Sequence, residues 1–501
     1  MRKQLLAIAF VVGIAAAIQF GCGGGTGTVR TPIQTAPGSV MLFGGDDPLC
    51  GILSLRVTVT ALSLTPQSSN VIGGSSPVSV LPGGQPFSLD FAALMDFFAP
   101  LSLASVPAGT YNQLNVTLAN PQLTFWDTSK TPPGPTTISP TFSNLTIHLT
   151  LDPALVVMSN GTVAVQLNFD LLKSVTISNG QISGTISPTF SSTPIAAPTD
   201  NQFAEFEDLP GLVQTVQTTS TNSAFIGSFT MQPASGPVLT VYVTDTTALN
   251  GASKLSDLTE GMFVEVHAIA DASGRIVAKE IDAELTENAT NGQAAFLGIV
   301  TSVTRSSGKA TEFDLYVREV FPAGTGVPVD SKVTFFIDPS TTNFVLTNQT
   351  ADFADLGFDE TTLAVGQRVV AHGDLLAQAA VVGITPAANA RAVYLGLGTI
   401  LGTLSTTVPV TKNISDAKLG GFTMLPCSSV FAGQPPITVL TADQTTFTVL
   451  TDLNGLTSIP PLPVLIIKGL LFYQQSSGSQ NGVGWAPPAN VQVATQVHQL
   501  P

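Results

Sequence analysis

The chain has 501 residues, with 18 Lys and Arg against 33 Asp and Glu and a net charge of −15. Such a balance opposes phosphate backbones and anionic lipid surfaces, both of which need a cationic footprint, and it removes nucleic acid from the expected partners. Only 10% of residues are charged while 44% are hydrophobic, and 45 glycines and 35 prolines punctuate short runs of Val, Thr, Leu and Ile; the pattern predicts an all-β protein of several domains with little helix.

At the N-terminus Arg2 and Lys3 precede an apolar run from Leu5 to Ile18, too short for a hydrocarbon core of about 30 Å and ending in small residues. Residues 1–21 therefore read as a cleaved export signal. Gly21-Cys22, followed by Gly23-Gly24-Gly25, resembles the lipidation site of bacterial lipoproteins, in which the Cys after a small residue becomes the acylated first residue. Gln19 stands where that pattern carries Leu, and the alternative is ordinary cleavage after Ala15-Ala16-Ala17, with Cys22 left as a free thiol. The resemblance implies a chain anchored to the membrane through lipid on Cys22, and Gly23 is similar to the outer-membrane or cell-surface form. Two or more acyl chains anchor a protein stably. Residues 22–37 are rich in Gly, Thr and Pro and read as a flexible tether.

A first domain is expected over residues 38–196. Its strand-like runs are Ser39 to Phe43, Leu53 to Leu64, Gln113 to Leu118, Thr146 to Leu151 and Thr162 to Phe169, each bounded by Gly, Pro, Asn or Asp. A short amphipathic helix is expected at Leu89 to Phe98 and a tight turn at Pro107 to Tyr111, within an antiparallel β-sandwich. Gly38-Ser39-Val40, Asp46-Asp47-Pro48, Leu55-Arg56-Val57-Thr58-Val59, the Pro107-Ala108-Gly109-Thr110-Tyr111 turn and Leu167-Asn168-Phe169-Asp170-Leu171 with Ser174 together resemble domain-of-unknown-function family 4382. The resemblance implies a β-sandwich in an exported bacterial protein and supplies no chemistry.

The stretch Ser187 to Thr199 is rich in Pro and Ser and reads as a linker, with residues 197–208 placed between the expected domains. After it the chain repeats itself. Residues 209–288 carry Gly211-Leu212-Val213, Ser228-Phe229-Thr230, Val241-Tyr242-Val243, Leu258-Thr259-Glu260-Gly261 and Val264-Glu265-Val266; residues 293–396 carry Gly298-Ile299-Val300, Val333-Thr334-Phe335, Leu363-Ala364-Val365-Gly366 and Val369-Val370-Ala371 in the same order. A divergent copy occupies residues 397–501, with prolines at 460, 461 and 463 in place of the Gly turn. The units exceed the about 20 to 50 residues of solenoid repeats, which predicts beads with separate cores. These units resemble domain-of-unknown-function family 5666, and the resemblance implies two to three small barrels similar to the oligonucleotide/oligosaccharide-binding (OB) fold. Barrel closure removes the sheet edges that would otherwise invite aggregation.

Arrangements that permit catalysis are missing from the sequence: there is no G-x-S-x-G, H-E-x-x-H, C-x-x-C or G-x-x-x-x-G-K. The four histidines, His148, His267, His372 and His498, fall one to each expected domain and read as exposed or satisfied strand residues. Asp46 and Asp47 beside Gly44-Gly45 are the candidate cation site, since two carboxylates on a Gly loop offer oxygens to Ca²⁺; the competing reading is a structural Asp-Asp-Pro turn. Asp245, Asp338 and Asp443 recur before Thr and read as a shared turn in which Asp and Thr bond nearby backbone N–H groups. Cys50 and Cys427 lie in domains far apart along the chain and read as two buried thiols. In the first repeat Lys254, Arg275 and Lys279 are outnumbered by Asp245, Asp257, Glu260, Glu265, Asp271, Glu280, Asp282 and Glu284, which argues against a strand-binding groove. Trp126 and Trp485 are the only tryptophans available to stack on a sugar.

The expectation is a non-catalytic cell-envelope lipoprotein, structural or adhesive, whose partner is an envelope protein or polysaccharide, with no cofactor apart from the Ca²⁺ considered at Asp46 and Asp47. The alternative is a carbohydrate-binding surface protein; a secreted hydrolase or metal-dependent enzyme ranks behind both.

Overall fold

The computed structural model describes residues 36–500, apart from 68–75, 95–97, 179–180, 196–200, 348–356, 377–384, 414–415, 457–461, 481–482 and 486–488. The segment expected as an export signal, Cys22 and most of the expected tether lie outside the described residues. Residues from Ala36 onward form one compact unit, built almost wholly of strands because alternating Val, Leu, Thr and Ile runs are cut by Gly, Pro and Asn before any helical period develops.

The N-terminal module is a sandwich. Its main strands are β1 (Gly38–Asp47), β2 (Ile52–Pro66), β3 (Phe87–Asp90), β4 (Ala99–Val106), β5 (Gly109–Asp127), β6 (Gly134–Ile138), β7 (Thr146–Val157), β8 (Thr162–Asp170) and β9 (Phe190–Ile195). One sheet has the order β9-β8-β1-β4; the other centres on the β2–β5 pair, with β3 on β2 and β6 and β7 on β5. Leu55, Val57 and Val59 of β2 and Val163, Val165 and Leu167 of β8 meet in one core, as the two-residue alternation requires. The sandwich departs from the expected pattern at three places. β1 and β8 run parallel. The helix expected at Leu89 to Phe98 is the end of β3 followed by a single 3₁₀ turn, Phe91–Leu94, because Leu89 is drawn into pairing with Val57. Residues 190–195 of the expected Pro/Ser linker form the edge strand β9.

Three further sheets follow. The first contains β10 (Gln202–Gln217), β11 (Gly227–Gln232), β12 (Leu239–Val243), β13 (Ala248–Asn250), β14 (Met262–Asp271) and β15 (Ile276–Thr286) in the order β12-β11-β10-β14-β15-β13, and β12 closes the circuit on β15 in parallel. The second contains β16 (Gln293–Ser306), β17 (Lys309–Phe321), β18 (Lys332–Phe336), β19 (Asn343–Leu346), β20 (Arg368–Leu375) and β21 (Ala387–Leu395) in the same order, with the same parallel closure. The third is built from β22 (Gly398–Leu404), β23 (Gly420–Pro426), β24 (Ile437–Thr448), β25 (Val464–Gln474) and β26 (Ala489–Gln499). Here one strand, β24, does the work of two, pairing β26 through Ile437–Thr441 and again through Thr446–Thr448. Because β10 already starts at Gln202 and pairs Asp271, residues 202–208 are strand and not linker.

A threonine closes each circuit. Thr247, Thr342 and Thr445 each accept from a backbone N–H just upstream (Thr244, Asp338, Ala442) and donate to a carbonyl of the closing strand, Ala278 at 2.8 Å, Ala390 at 2.8 Å and Ala494 at 2.7 Å. The threonine of the recurrent signature thus marks a shared turn, while of the three aspartates only Asp338 is seen to accept a nearby backbone N–H, that of Ser340 at 2.9 Å. The Gly of L-x-x-G also has a structural reason: Gly261 and Gly366 sit at φ +81° and +94°, a left-handed conformation that side chains disfavour.

The modules are not beads. Met41, Phe43 and Ala164 of the sandwich pack into the core of the first barrel with Phe206 and Val266. The second and third barrels share one cluster that runs from Phe296 and Leu395 to Leu440 and Val491. Leu53, Tyr316 and Val430 bring the sandwich, second and third barrels together. Cys50 and Cys427, expected as separate thiols, form a disulfide across a sequence separation of 377, with Cα atoms 5.9 Å apart; the docking that sequence distance argued against is what the tertiary structure provides.

Candidate functional site

Where the four modules meet, the strands carry irregularities that turn charged side chains inward. On β10 the pairing with β14 slips between Phe206 and Leu209, so Glu207 and Asp208 together face one partner position, and Asp208 adopts φ +49°. On β17 the register against β16 slips between Leu297 and Gly298, leaving Arg318 as an extra residue beside Glu319. A bulge breaks the in-out alternation, so adjacent side chains reach the same side of the sheet. Both bulges line a partly enclosed cavity of ≈ 120 Å³, whose apolar wall includes Leu89, Phe98, Pro100, Leu239 and Ile299. The polar wall holds Asp90, Glu207, Asp208, Arg318, Glu319 and Arg368.

Most of these charges are paired across modules. Arg368 of the second barrel bonds Glu265 at 3.0 Å and Asp208 at 3.2 Å, both from the first barrel. Lys468 of the third barrel meets Glu207 at 2.6 Å. Arg56 of the sandwich bonds Asp330 at 2.9 Å, lies 3.6 Å from Asp90 and donates to the Arg318 carbonyl. Asp90 in turn accepts the Leu55 N–H at 2.9 Å. Burial pushes the Glu265 carboxyl up to about 8 against the pull of Arg368, and burial likewise raises Glu319 against Arg56. Among the residues lining the cavity, three buried atoms stay without a hydrogen-bond partner: Asp90 Oδ2, Glu319 Oε2 and Arg318 Nε.

A second charged seam joins the first two barrels. His372 is fully buried, with Nε2 on Glu284 and Nδ1 2.6 Å from Glu287, and Arg391 holds Glu287 from the other side at 2.7 Å. Burial opposes a charged ring there, yet the two carboxylates outweigh it and hold His372 above the ordinary histidine range. Of the other histidines, His148 is exposed and 2.6 Å from Asn115 Oδ1, His267 is 2.8 Å from Glu205, and His498 lies in β26.

Asp46 and Asp47 occupy consecutive positions of β1, opposite Phe169 and Asp170, so the Gly loop expected to carry them is strand. Asp46 is buried. Among the described residues no three His, Cys, Asp or Glu side chains gather as a metal site, and no helix is long and apolar enough to cross a membrane. Trp126 packs beside Val365 and Val430, and its carbonyl accepts from Ser429 at 3.2 Å. The side chain of Trp485 lies outside the described residues.

Sequence reasoning passed over Asp90, Glu207-Asp208 and Arg318-Glu319. A signal was present: in a chain so poor in charge, two adjacent charged residues inside an otherwise apolar run break the two-residue alternation and mark a bulge.

No curated protein matches the chain. Among solved structures, "drosophila Unr CSD456" aligns at 10% identity over 59% of this chain and 97% of its own length, with a TM-score of 0.14. The wild-type single-stranded DNA binding protein from Thermus aquaticus aligns at 12% identity over 42% and 92%, also with a TM-score of 0.14. Residues 38–187 match the family model "Domain of unknown function (DUF4382)" and residues 213–282 match "Domain of unknown function (DUF5666)", so the chain carries a DUF4382 domain followed by a DUF5666 domain.

Proposed function

We propose that this protein is an exported, non-catalytic component of the bacterial cell envelope, anchored through lipid on Cys22, which presents a rigid four-module body to an envelope protein or polysaccharide. The observation that carries the reading is the Cys50–Cys427 disulfide. Such bridges form and persist in oxidising compartments and are rare in reducing cytosol. It fastens the sandwich to the last barrel over a seam already held by buried ion pairs, which favours a load-bearing or scaffolding body over hinged domains. The apolar stretch before Cys22 and the Gly/Thr/Pro-rich tether after it support the same placement.

Two measurements on protein made in its native cell type test this. Radiolabelled palmitate enters the wild-type chain and is lost in Cys22→Ala. Peptide mapping without reductant recovers Cys50 joined to Cys427. Absent label together with freely alkylated Cys50 and Cys427 overturns the proposal.

A further inference from the structure

The cavity at the four-module junction carries two opposite unmet demands side by side. Glu319 is 6% exposed; its Oε1 accepts from Ser235 at 3.2 Å while Oε2 has no partner. Asp90 is 1% exposed, and its Oδ2 lies 3.6 Å from Arg56 but accepts no hydrogen bond. Next to Glu319 on the same bulge, Arg318 keeps a buried Nε without an acceptor. A buried polar atom left unmatched costs about 1–3 kcal/mol, and here all three belong to residues lining one cavity of ≈ 120 Å³.

The other carboxylates of the wall have cations: Asp90 lies 3.6 Å from Arg56, Glu207 meets Lys468 and Asp208 meets Arg368. Glu319 has no ion pair among the described residues, so the demand it leaves is for a positive group. A metal ion is a poor candidate to supply it, because no three ligating side chains gather among the described residues and a hard cation needs six or more oxygens. An ammonium group needs only a few acceptors and tolerates the apolar wall of Leu89, Phe98 and Leu239 against its carbon body.

We infer that the junction cavity is a binding site for a small organic amine that also carries an oxygen acceptor, its ammonium on Glu319 and Asp90 and its oxygen on Arg318 Nε. The space suits about four to six non-hydrogen atoms, since an engineered cavity of about 150 Å³ holds benzene. The site needs all four modules in place, as Leu89 and Asp90 come from the sandwich, Leu239 from the first barrel, Arg318 and Glu319 from the second and Thr399 from the third.

Titration calorimetry on the full disulfide-linked chain tests this with ethanolamine, isobutylamine and propane-1,2-diol as probes. Ethanolamine binds saturably and one to one, isobutylamine binds more weakly for want of the oxygen, and the diol binds at least about tenfold more weakly than ethanolamine. Glu319→Gln lowers ethanolamine affinity about tenfold or more, and Arg318→Met brings ethanolamine down to the level of isobutylamine. Ala93→Phe, which fills the cavity from the 3₁₀ turn without touching an ion pair, abolishes binding and serves where Glu319→Gln fails to fold. No saturable binding of either amine, equal binding of the diol, or ethanolamine binding unchanged in folded Ala93→Phe shows a solvent-filled cavity only and overturns the inference.

Discussion

His267 and His372 stand at the same bulged position of the equivalent strands β14 and β20. One ring is 30% exposed and rests on Glu205; the other is wholly buried between Glu284 and Glu287. The third barrel places Lys468 at this position, 3% exposed and bound to Glu207. The repeat supplies a position whose side chain leaves the barrel, and docking decides whether that side chain meets water or a neighbouring module. The same contrast holds between regions: barrel interiors are apolar and closed by a threonine turn, whereas the junction concentrates Arg56, Arg368, Lys468 and their carboxylates in a chain that has few charges to spend.

The largest expected effect comes from opening the seam while leaving the interiors intact. Cys50→Ser releases a loop of 377 residues, which in the chain-entropy picture removes up to about 5 kcal/mol. Thermal unfolding followed by calorimetry is expected to show a lower Tm or a split transition, and reductant reproduces it in the wild type. A single unshifted transition would show that the bridge fastens nothing.

His372→Leu strands Glu284 and Glu287 without their shared partner, and breaking a buried pair costs about 3 kcal/mol or more. His267→Leu, the same substitution one repeat earlier, is expected to cost less than about 1 kcal/mol because the Glu205 pair is solvated. Equal costs in denaturant titrations would erase the distinction between the two positions.

The junction also gives stability a pH dependence. Glu265 rises from 4.5 to about 8 through burial, so the folded protein binds that proton more tightly than the unfolded chain. Its stabilisation is complete below pH about 4.5 and drains away as pH climbs toward 8. His372 is raised as well, the pull of Glu284 and Glu287 exceeding the effect of burial, and its contribution is full below 6.5 and lost as pH rises through the folded value. Tm is therefore expected to fall by several degrees between about pH 5 and 8.5. Glu265→Gln should flatten part of that fall; a profile that rises with pH contradicts the assignment.

A modest effect of a different kind concerns the interiors. Thr445→Val removes one bond to Ala442 N–H and one to the Ala494 carbonyl, worth about 1–2 kcal/mol, without changing the pH profile, as parallel denaturation at two pH values would show.

Much of the architecture was legible. Leu55, Val57 and Val59 alternate into the sandwich core, and Val264, Val266, Val369 and Ala371 alternate into barrels, because a strand buries every second residue whatever its neighbours. The threonine turn and Gly261 and Gly366 were legible for a similar reason, since hydrogen bonds three or four residues apart and left-handed φ are local. Leu89 was misread because its helical spacing was outweighed by pairing with Val57, and residues 190–195 because an edge strand tolerates the proline that suggested a linker. The candidate site was scarcely legible: Asp90, Asp208, Arg318 and Glu319 lie in three modules, and nothing in the spacing of one predicts the others.

By itself the sequence determined what short-range physics decides: alternating strands, turn chemistry, a repeated circuit and the acidic surplus. Only the tertiary structure decided which faces dock, and hence that Cys50 meets Cys427, that His372 is sealed between two glutamates, and that carboxylates from separate modules share one cavity. The reason is physical. Alternation and turns are set by forces reaching a few residues along the chain, whereas pairing and desolvation of charges depend on distances through space that no local pattern encodes.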